Sequence, residues 1–160
     1  MQKFNDHKEK IVTVDKIGHI SSSNSKKVLV GGCFDIFHYG HASFLENARA
    51  EGDMLVILLE SDEFIRKYKK REPLHSQEQR AEILAHLTVV DYIIKLPLMT
   101  TNTDYADLVS KLRPSVIAVT EGDEKLELKK LQAEKIGAEI KVVTSQLPFS
   151  SSQYASFFRD

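Results

Sequence analysis

Cysteine is all but missing from this chain: Cys33 is the only one in 160 residues. A single thiol excludes an intramolecular disulfide and a zinc site built from cysteines. An excess of one charge is missing too, since 22 Lys and Arg stand against 23 Asp and Glu, a net −1. There is then no global field to hold DNA, RNA or an anionic membrane, and any anion site must be a local cluster of cations. No apolar run approaches the length of a membrane span, and the polar opening MQKFNDHKEK is not that of a signal peptide. A cytoplasmic location is expected. Internal repeats are absent, and a composition of 42% hydrophobic and 28% charged residues is not that of a disordered chain. The length is sufficient for one domain with its own core.

What is present is alternation. A short piece at Ile11 to Val14 precedes a Ser-, Asn- and Lys-rich segment, Gly18 to Lys27, so residues 1–26 read as an N-terminal extension and linker. The main domain is expected over residues 27–160. Strands are expected at Lys27 to Gly32 (KVLVGG), Met54 to Glu60 (MLVILLE), Val89 to Lys95, Ser115 to Thr120 and Glu139 to Thr144. Helical stretches fall between them, at His41 to Ala50, Ser76 to Leu87, Tyr105 to Leu112 and Lys125 to Lys135. Continuous apolar strands alternating with amphipathic helices indicate an α/β domain with a parallel sheet covered on both faces. Right-handed crossovers make it a Rossmann-like, doubly wound sheet of five strands. Ligands in such sheets bind at the carboxyl ends of the strands, near the switch in strand order. That rule selects the loops at residues 31–41, 61–75, 120–124 and 145–152.

The first of these loops is GGCFDIFHYGH. Gly31 and Gly32 let backbone N–H groups approach an anion closely. Asp35 follows at the strand's carboxyl edge, and His38 and His41 flank Gly40 where a helix begins. Free N–H groups, the positive end of the helix dipole and two imidazoles coincide there, an environment that suits a triphosphate. The alternative, two histidines that only cap the helix and fill the turn, is weaker for the combination than for a lone histidine.

Gly-x-Phe-Asp-x-x-His-x-Gly-His resembles the signature of the cytidylyltransferase-like nucleotidyltransferases, matched here by Gly32, Phe34, Asp35, His38, Gly40 and His41. The stretch SDEFIRKYKKREPLHSQEQR is similar to the family's loop after the second strand, and VVDYII to its next strand. The resemblance implies that an acceptor phosphate oxygen attacks the α-phosphorus of an NTP in line and that pyrophosphate leaves. ATP and CTP are both open as donor, with a phosphorylated sugar, glycerol phosphate or similar small molecule as acceptor. His38 and His41 would hold the leaving phosphates, and Mg²⁺ would be bound through the NTP phosphates rather than by a protein cage. No nucleophilic side chain is needed, so Cys33 serves as a small packed residue of the nucleotide loop.

The same resemblance places Lys69 and Lys67 on the triphosphate, against the alternative of a solvated charged turn. Arg80 would contact phosphate or brace the acceptor pocket, against a surface salt bridge with Glu78 or Glu82. Gly122 and Asp123 would recognise ribose or base, against a simple helix cap, and Ser150, Ser151 and Ser152 would offer hydroxyls to the phosphates, against an ordinary Ser cap. Tyr154, Phe157 and Phe158 are expected in the core or at a homodimer contact. A catalytically silent nucleotide-binding protein on the same fold is the alternative of a different class.

Overall fold

The computed structural model describes residues 6–145. Its strands are β1 (Ile11–Thr13), β2 (Lys27–Gly32), β3 (Met54–Leu59), β4 (Tyr92–Lys95), β5 (Val116–Thr120) and β6 (Glu139–Thr144). They form one sheet in the order β1-β4-β3-β2-β5-β6, with every pair parallel. The helices are α1 (Gly18–Ser21), α2 (Tyr39–Arg49), α3 (Asp62–Phe64), α4 (Gln77–Ala85), α5 (Asn102–Leu112) and α6 (Leu126–Ile136). A wide π turn, Ile65–Lys69, continues α3.

The expected doubly wound α/β fold is present, with six strands instead of five. The additional strand is β1, which pairs with β4 from Ile11–Ile93 to Thr13–Lys95. Three residues carry too little periodicity to announce a strand, and only the open edge of β4 makes them one. The segment after β1 also packs. Ile17 and Ile20 are buried, and the buried Lys27 ammonium of β2 donates to the carbonyls of Ile20 (3.3 Å), Ser21 (3.3 Å) and Ser23 (2.9 Å). That lysine closes the carbonyl end of α1, where the helix has no internal donors.

Alternating side chains of the central strands feed two cores. Val28, Val30, Leu55, Ile57, Leu59 and Ile93 face α2 and α4, while Leu29, Val56, Leu58, Ile94, Ile117 and Val119 face α1, α5 and α6. Burial on both faces explains why these strands read as unbroken apolar runs. Helix starts follow local chemistry. Ser76 with Gln79 and Thr101 with Asp104 each form a capping box, opening α4 and α5. Gly137 ends α6 at φ 70°, a left-handed conformation that costs glycine nothing.

The sheet splits where the strand order switches. The β2–β3 ladder continues to Gly32–Leu59, but the β2–β5 ladder ends at Leu29–Ile117. Beyond that point β2 and β5 part, and a crevice opens between their carboxyl ends.

Candidate nucleotide site

A cleft of about 540 Å³ occupies this crevice, lined by β2 from Leu29 to Gly32, by Cys33, Phe34, His38, Gly40 and His41, and by the ends of β3 and β5. The turn from β2 into α2 is held in an unusual shape. Phe34 has φ 49°, a region that bulky side chains rarely occupy. Its ring is buried and reaches over Gly32, where an added Cβ would meet Phe34 Cε2 at 2.9 Å. The same ring lies 5.0 Å from that of His41, with Phe37 at 5.6 Å on another side. Strain at Phe34 therefore places an aromatic wall behind the His41 imidazole.

His38 is the N-cap of α2. Its backbone is extended, and its Nδ1 accepts the Gly40 N–H at 3.0 Å. An Nδ1 that accepts fixes the neutral ring's proton on Nε2, making that atom a donor. His41, one turn on, stacks on His38 with ring centroids 4.0 Å apart. Its Nδ1 is buried and has no hydrogen-bond partner among the described residues. Burial first, then the neighbouring His38, pushes the His41 pKa down to about 4, with the Ile36 backbone opposing. Burial lowers His38 as well. Both rings are thus neutral at physiological pH, hydrogen-bonding groups rather than fixed cations.

A depressed imidazole has a stability consequence. The unfolded chain takes up this proton near pH 6.5 and the folded chain near 4, so the contribution of His41 is complete above 6.5 and lost as pH falls to about 4. Urea denaturation of the wild type and His41→Gln from pH 7.5 to 4 should show a steeper loss in the wild type. Parallel pH profiles would show that His41 is not buried as described.

Asp35 does not face the cleft. Its carboxylate is fully buried and pairs with the Arg71 guanidinium, whose side chain is 7% exposed. It also accepts the N–H groups of Leu74 and His75, each at 3.0 Å. The His75 Nδ1 lies 3.0 Å from the Asp35 carbonyl oxygen. Burial pushes the Asp35 carboxyl up, and Arg71 with the two N–H groups outweighs it, holding the pKa below its ordinary 3.8. Asp35 therefore ties the turn before α2 to the segment before α4.

Arg80 is likewise fully buried. It donates to the carbonyls of Cys33 (2.5 Å), Glu60 (2.9 Å) and His75 (3.1 Å) and pairs with Asp62 at 2.7 Å, instead of with Glu78 or Glu82 at the surface. It braces three loops from behind. Cys33 lines the cleft, but burial pushes its thiol up, so it is poorly suited to act as a thiolate.

The basic run lies on the π turn and just after it. Both Lys67 and Lys69 are exposed, but Lys69 lines the cleft, while the Lys67 ammonium lies 5.2 Å from the Tyr68 ring centroid. Arg66 pairs with the exposed Glu72 at 2.8 Å. On the far wall Gly122 adopts φ 75°. The Asp123 carboxylate accepts the Lys125 N–H at 2.8 Å and pairs with Lys129 at 2.6 Å, just ahead of α6, whose N-cap is Lys125. Both residues line the cleft with Glu121. Ser150, Ser151 and Ser152, and the aromatic residues after them, lie outside the described residues.

Sequence reasoning passed over Glu60, Tyr105, Lys125 and Lys129, all of which line the cleft. Glu60 did carry a signal, a carboxylate closing an unbroken apolar strand. Tyr105 carried none, because its position inside a helix says nothing of the neighbour it meets.

Comparison with known proteins agrees with this geometry. The cytidylyltransferase-like family model matches residues 29–156. The chain belongs to the cytidylyltransferase-like family. Among its relatives, an FAD synthase from Thermococcus kodakarensis is 43% identical over 93 residues, covering 58% of this chain and 60% of that protein. The bifunctional protein HldE of Campylobacter fetus is 34% identical over 116 residues, covering 72% of this chain and 24% of that protein. The match thus spans less than two thirds of the length of each of these relatives. A pantoate-beta-alanine ligase structure from Francisella tularensis superposes with a TM-score of 0.68 at 18% identity, over 91% of this chain and 72% of that one, and shows the shared fold. Among the described residues no helix is long and apolar enough to cross a membrane.

Proposed function

We propose that this member of the family is a nucleotidyltransferase that moves a nucleoside monophosphate from an NTP to a phosphorylated small molecule, releasing pyrophosphate. The observation that carries the reading is the pair of stacked, neutral imidazoles at the start of α2, set where β2 and β5 part. A triphosphate laid along this turn meets the α2 N–H groups, the His38 Nε2 donor and the Lys69 ammonium. The nucleoside then extends over the Thr120 to Asp123 wall. Nucleotidyl transfer needs positioning and charge neutralisation more than covalent help, and this donor set supplies both. Bringing a polyanion beside two neutral rings favours their protonation as charge grows on the leaving phosphates.

A divalent cation fits the site only as a passenger of the nucleotide. No group of three or more His, Cys, Asp or Glu that could hold a metal ion occurs among the described residues, and the Asp35 oxygens are engaged by Arg71 and two backbone N–H groups. Mg²⁺ held by the phosphates would supply charge neutralisation that Lys69 cannot give alone.

ATP is the preferred donor in this reading. FAD, the product for which the Thermococcus relative is named, contains an adenylyl group joined to a phosphate through a pyrophosphate bond, which is the linkage this transfer makes. The test is pyrophosphate release from ATP, CTP, GTP and UTP across a panel of phosphorylated acceptors. No release with any pair would refute the transfer. Within such an assay Lys69→Ala should raise the KM for NTP about tenfold or more, with Lys67→Ala close to wild type. Equal effects of the two would mean that the π turn does not set which lysine reaches the phosphates.

A further inference from the structure

The cleft also holds a buried carboxylate, Glu60. Glu60 follows β3 directly, and its N–H donates to the Gly32 carbonyl at 3.0 Å, one strand spacing from the histidine turn on the side away from β5. Its carboxylate is buried, at 7% exposure, yet lines the cleft. The hydrogen bond found for it comes from the Tyr105 hydroxyl, shared between Oε1 at 2.8 Å and Oε2 at 3.0 Å. A carboxylate offers about four acceptor positions, and one shared hydroxyl proton leaves most of them for a ligand. Burial pushes the Glu60 carboxyl up while Tyr105, Lys125, Arg80 and Lys129 oppose it. The Lys125 ammonium lies 4.9 Å from the Phe64 ring centroid and 5.5 Å from that of Tyr105, so a cation already stands over both rings.

If the nucleoside occupies the β2–β5 crevice, the acceptor enters over β3 with its phosphate towards His38, His41 and Lys69. The part of it beyond the phosphate then meets Glu60. We infer that Glu60, oriented by Tyr105, is a specificity-determining residue that selects acceptors carrying hydroxyl groups on the carbons next to their phosphate. Vicinal hydroxyls donate to the two carboxylate oxygens together. A second ammonium is disfavoured because Lys125 already occupies the aromatic faces. A bare alkyl chain fills none of the acceptor positions that Tyr105 leaves on this buried carboxylate, the situation in which discrimination is strongest. The inference rests on the transfer reading for the direction in which the acceptor lies.

The experiment uses the full chain as wild type, Glu60→Gln and Tyr105→Phe. Pyrophosphate release is measured with glycerol 3-phosphate, ribitol 5-phosphate, glucose 1-phosphate and flavin mononucleotide, against n-propyl phosphate, n-pentyl phosphate and phosphocholine. In parallel, calorimetry measures binding of the same acceptors to the protein saturated with a non-hydrolysable ATP analogue. The wild type should favour the hydroxylated acceptors by about a hundredfold or more in kcat/KM. Glu60→Gln, which keeps an oxygen for Tyr105 but turns the other position into a donor, should remove at least about tenfold of that preference through the acceptor KM, with the KM for ATP unchanged. Tyr105→Phe should act in the same direction and less. Equal use of alkyl phosphates by the wild type, a best rate with phosphocholine, or a uniform loss across all acceptors in Glu60→Gln would overturn the inference. If no acceptor yields pyrophosphate, the transfer reading fails, and calorimetry still decides. Tighter binding of hydroxylated phosphates that Glu60→Gln abolishes supports the assignment, and its absence refutes it.

Discussion

Replacing His38 or His41 by alanine should lower turnover with NTP by two orders of magnitude or more, the usual cost of losing a donor aimed at developing charge. The two variants are not structurally equivalent, and the difference makes the test stronger. His38 also caps α2 through Nδ1, so His38→Ala should in addition cost about 0.5–2 kcal/mol of stability. His38→Asn restores a good cap without restoring the imidazole. It should therefore recover the melting temperature and stay slow. His41 is packed between Phe34 and Phe37 and against His38, so His41→Asn is the better probe there, leaving a smaller void than alanine. Pyrophosphate release near the wild-type rate from His38→Asn or His41→Asn would refute the role assigned to the pair.

The strands that carry the site were legible because they are buried on both faces. KVLVGG runs over the same residues in the sequence reading and in the fold. The helices were legible by their periodicity, with starts correct to within a few residues; the Thr101 cap that opens α5 at Asn102 was missed. The histidine turn was legible for a different reason: glycines, histidines and a helix start are all local, and their mutual spacing fixes how they meet. What the sequence hid is non-local. Nothing near Ile11 says that β4 leaves an edge open for it. Nothing near Lys27 says that its ammonium turns back to three carbonyls at the end of α1 and just after it. Asp35 and Arg80 illustrate the same limit within the signature region. Their types suggest contact with phosphate, but their partners are Arg71, backbone N–H groups and Asp62, chosen by how three loops converge behind the cleft.

That convergence predicts the effect of removing Asp35. Arg71 is nearly as buried as its partner, and Asp35→Ala would leave its guanidinium without the carboxylate and the N–H groups of Leu74 and His75 without their acceptor. Breaking one side of a buried pair costs roughly 3–5 kcal/mol, far more than an exposed pair is worth. Unfolding in urea should show a loss of that order. A residue that touched only the nucleotide would leave stability unchanged and slow turnover alone, so the two roles separate cleanly. Asp35→Asn combined with Arg71→Met closes a double-mutant cycle, in which the paired change should cost less than the sum of the two single changes. Acid supplies an independent readout. Because the folded carboxyl titrates below its ordinary 3.8, its contribution is complete above that pH and lost as pH falls through the depressed value. Asp35→Asn should flatten the stability profile below pH 4 while leaving untouched the segment between 6.5 and 4 that belongs to His41. The segment before α4 is anchored to the histidine turn mainly through this carboxylate, beside the His75 and Arg80 contacts, and it follows the basic run with Lys69. Loss of the anchor should therefore also raise the KM for NTP, as Lys69 is no longer held against the cleft. Wild-type stability in Asp35→Ala would mean that Arg71 and the two N–H groups find other partners, and that the tie between the loops is dispensable.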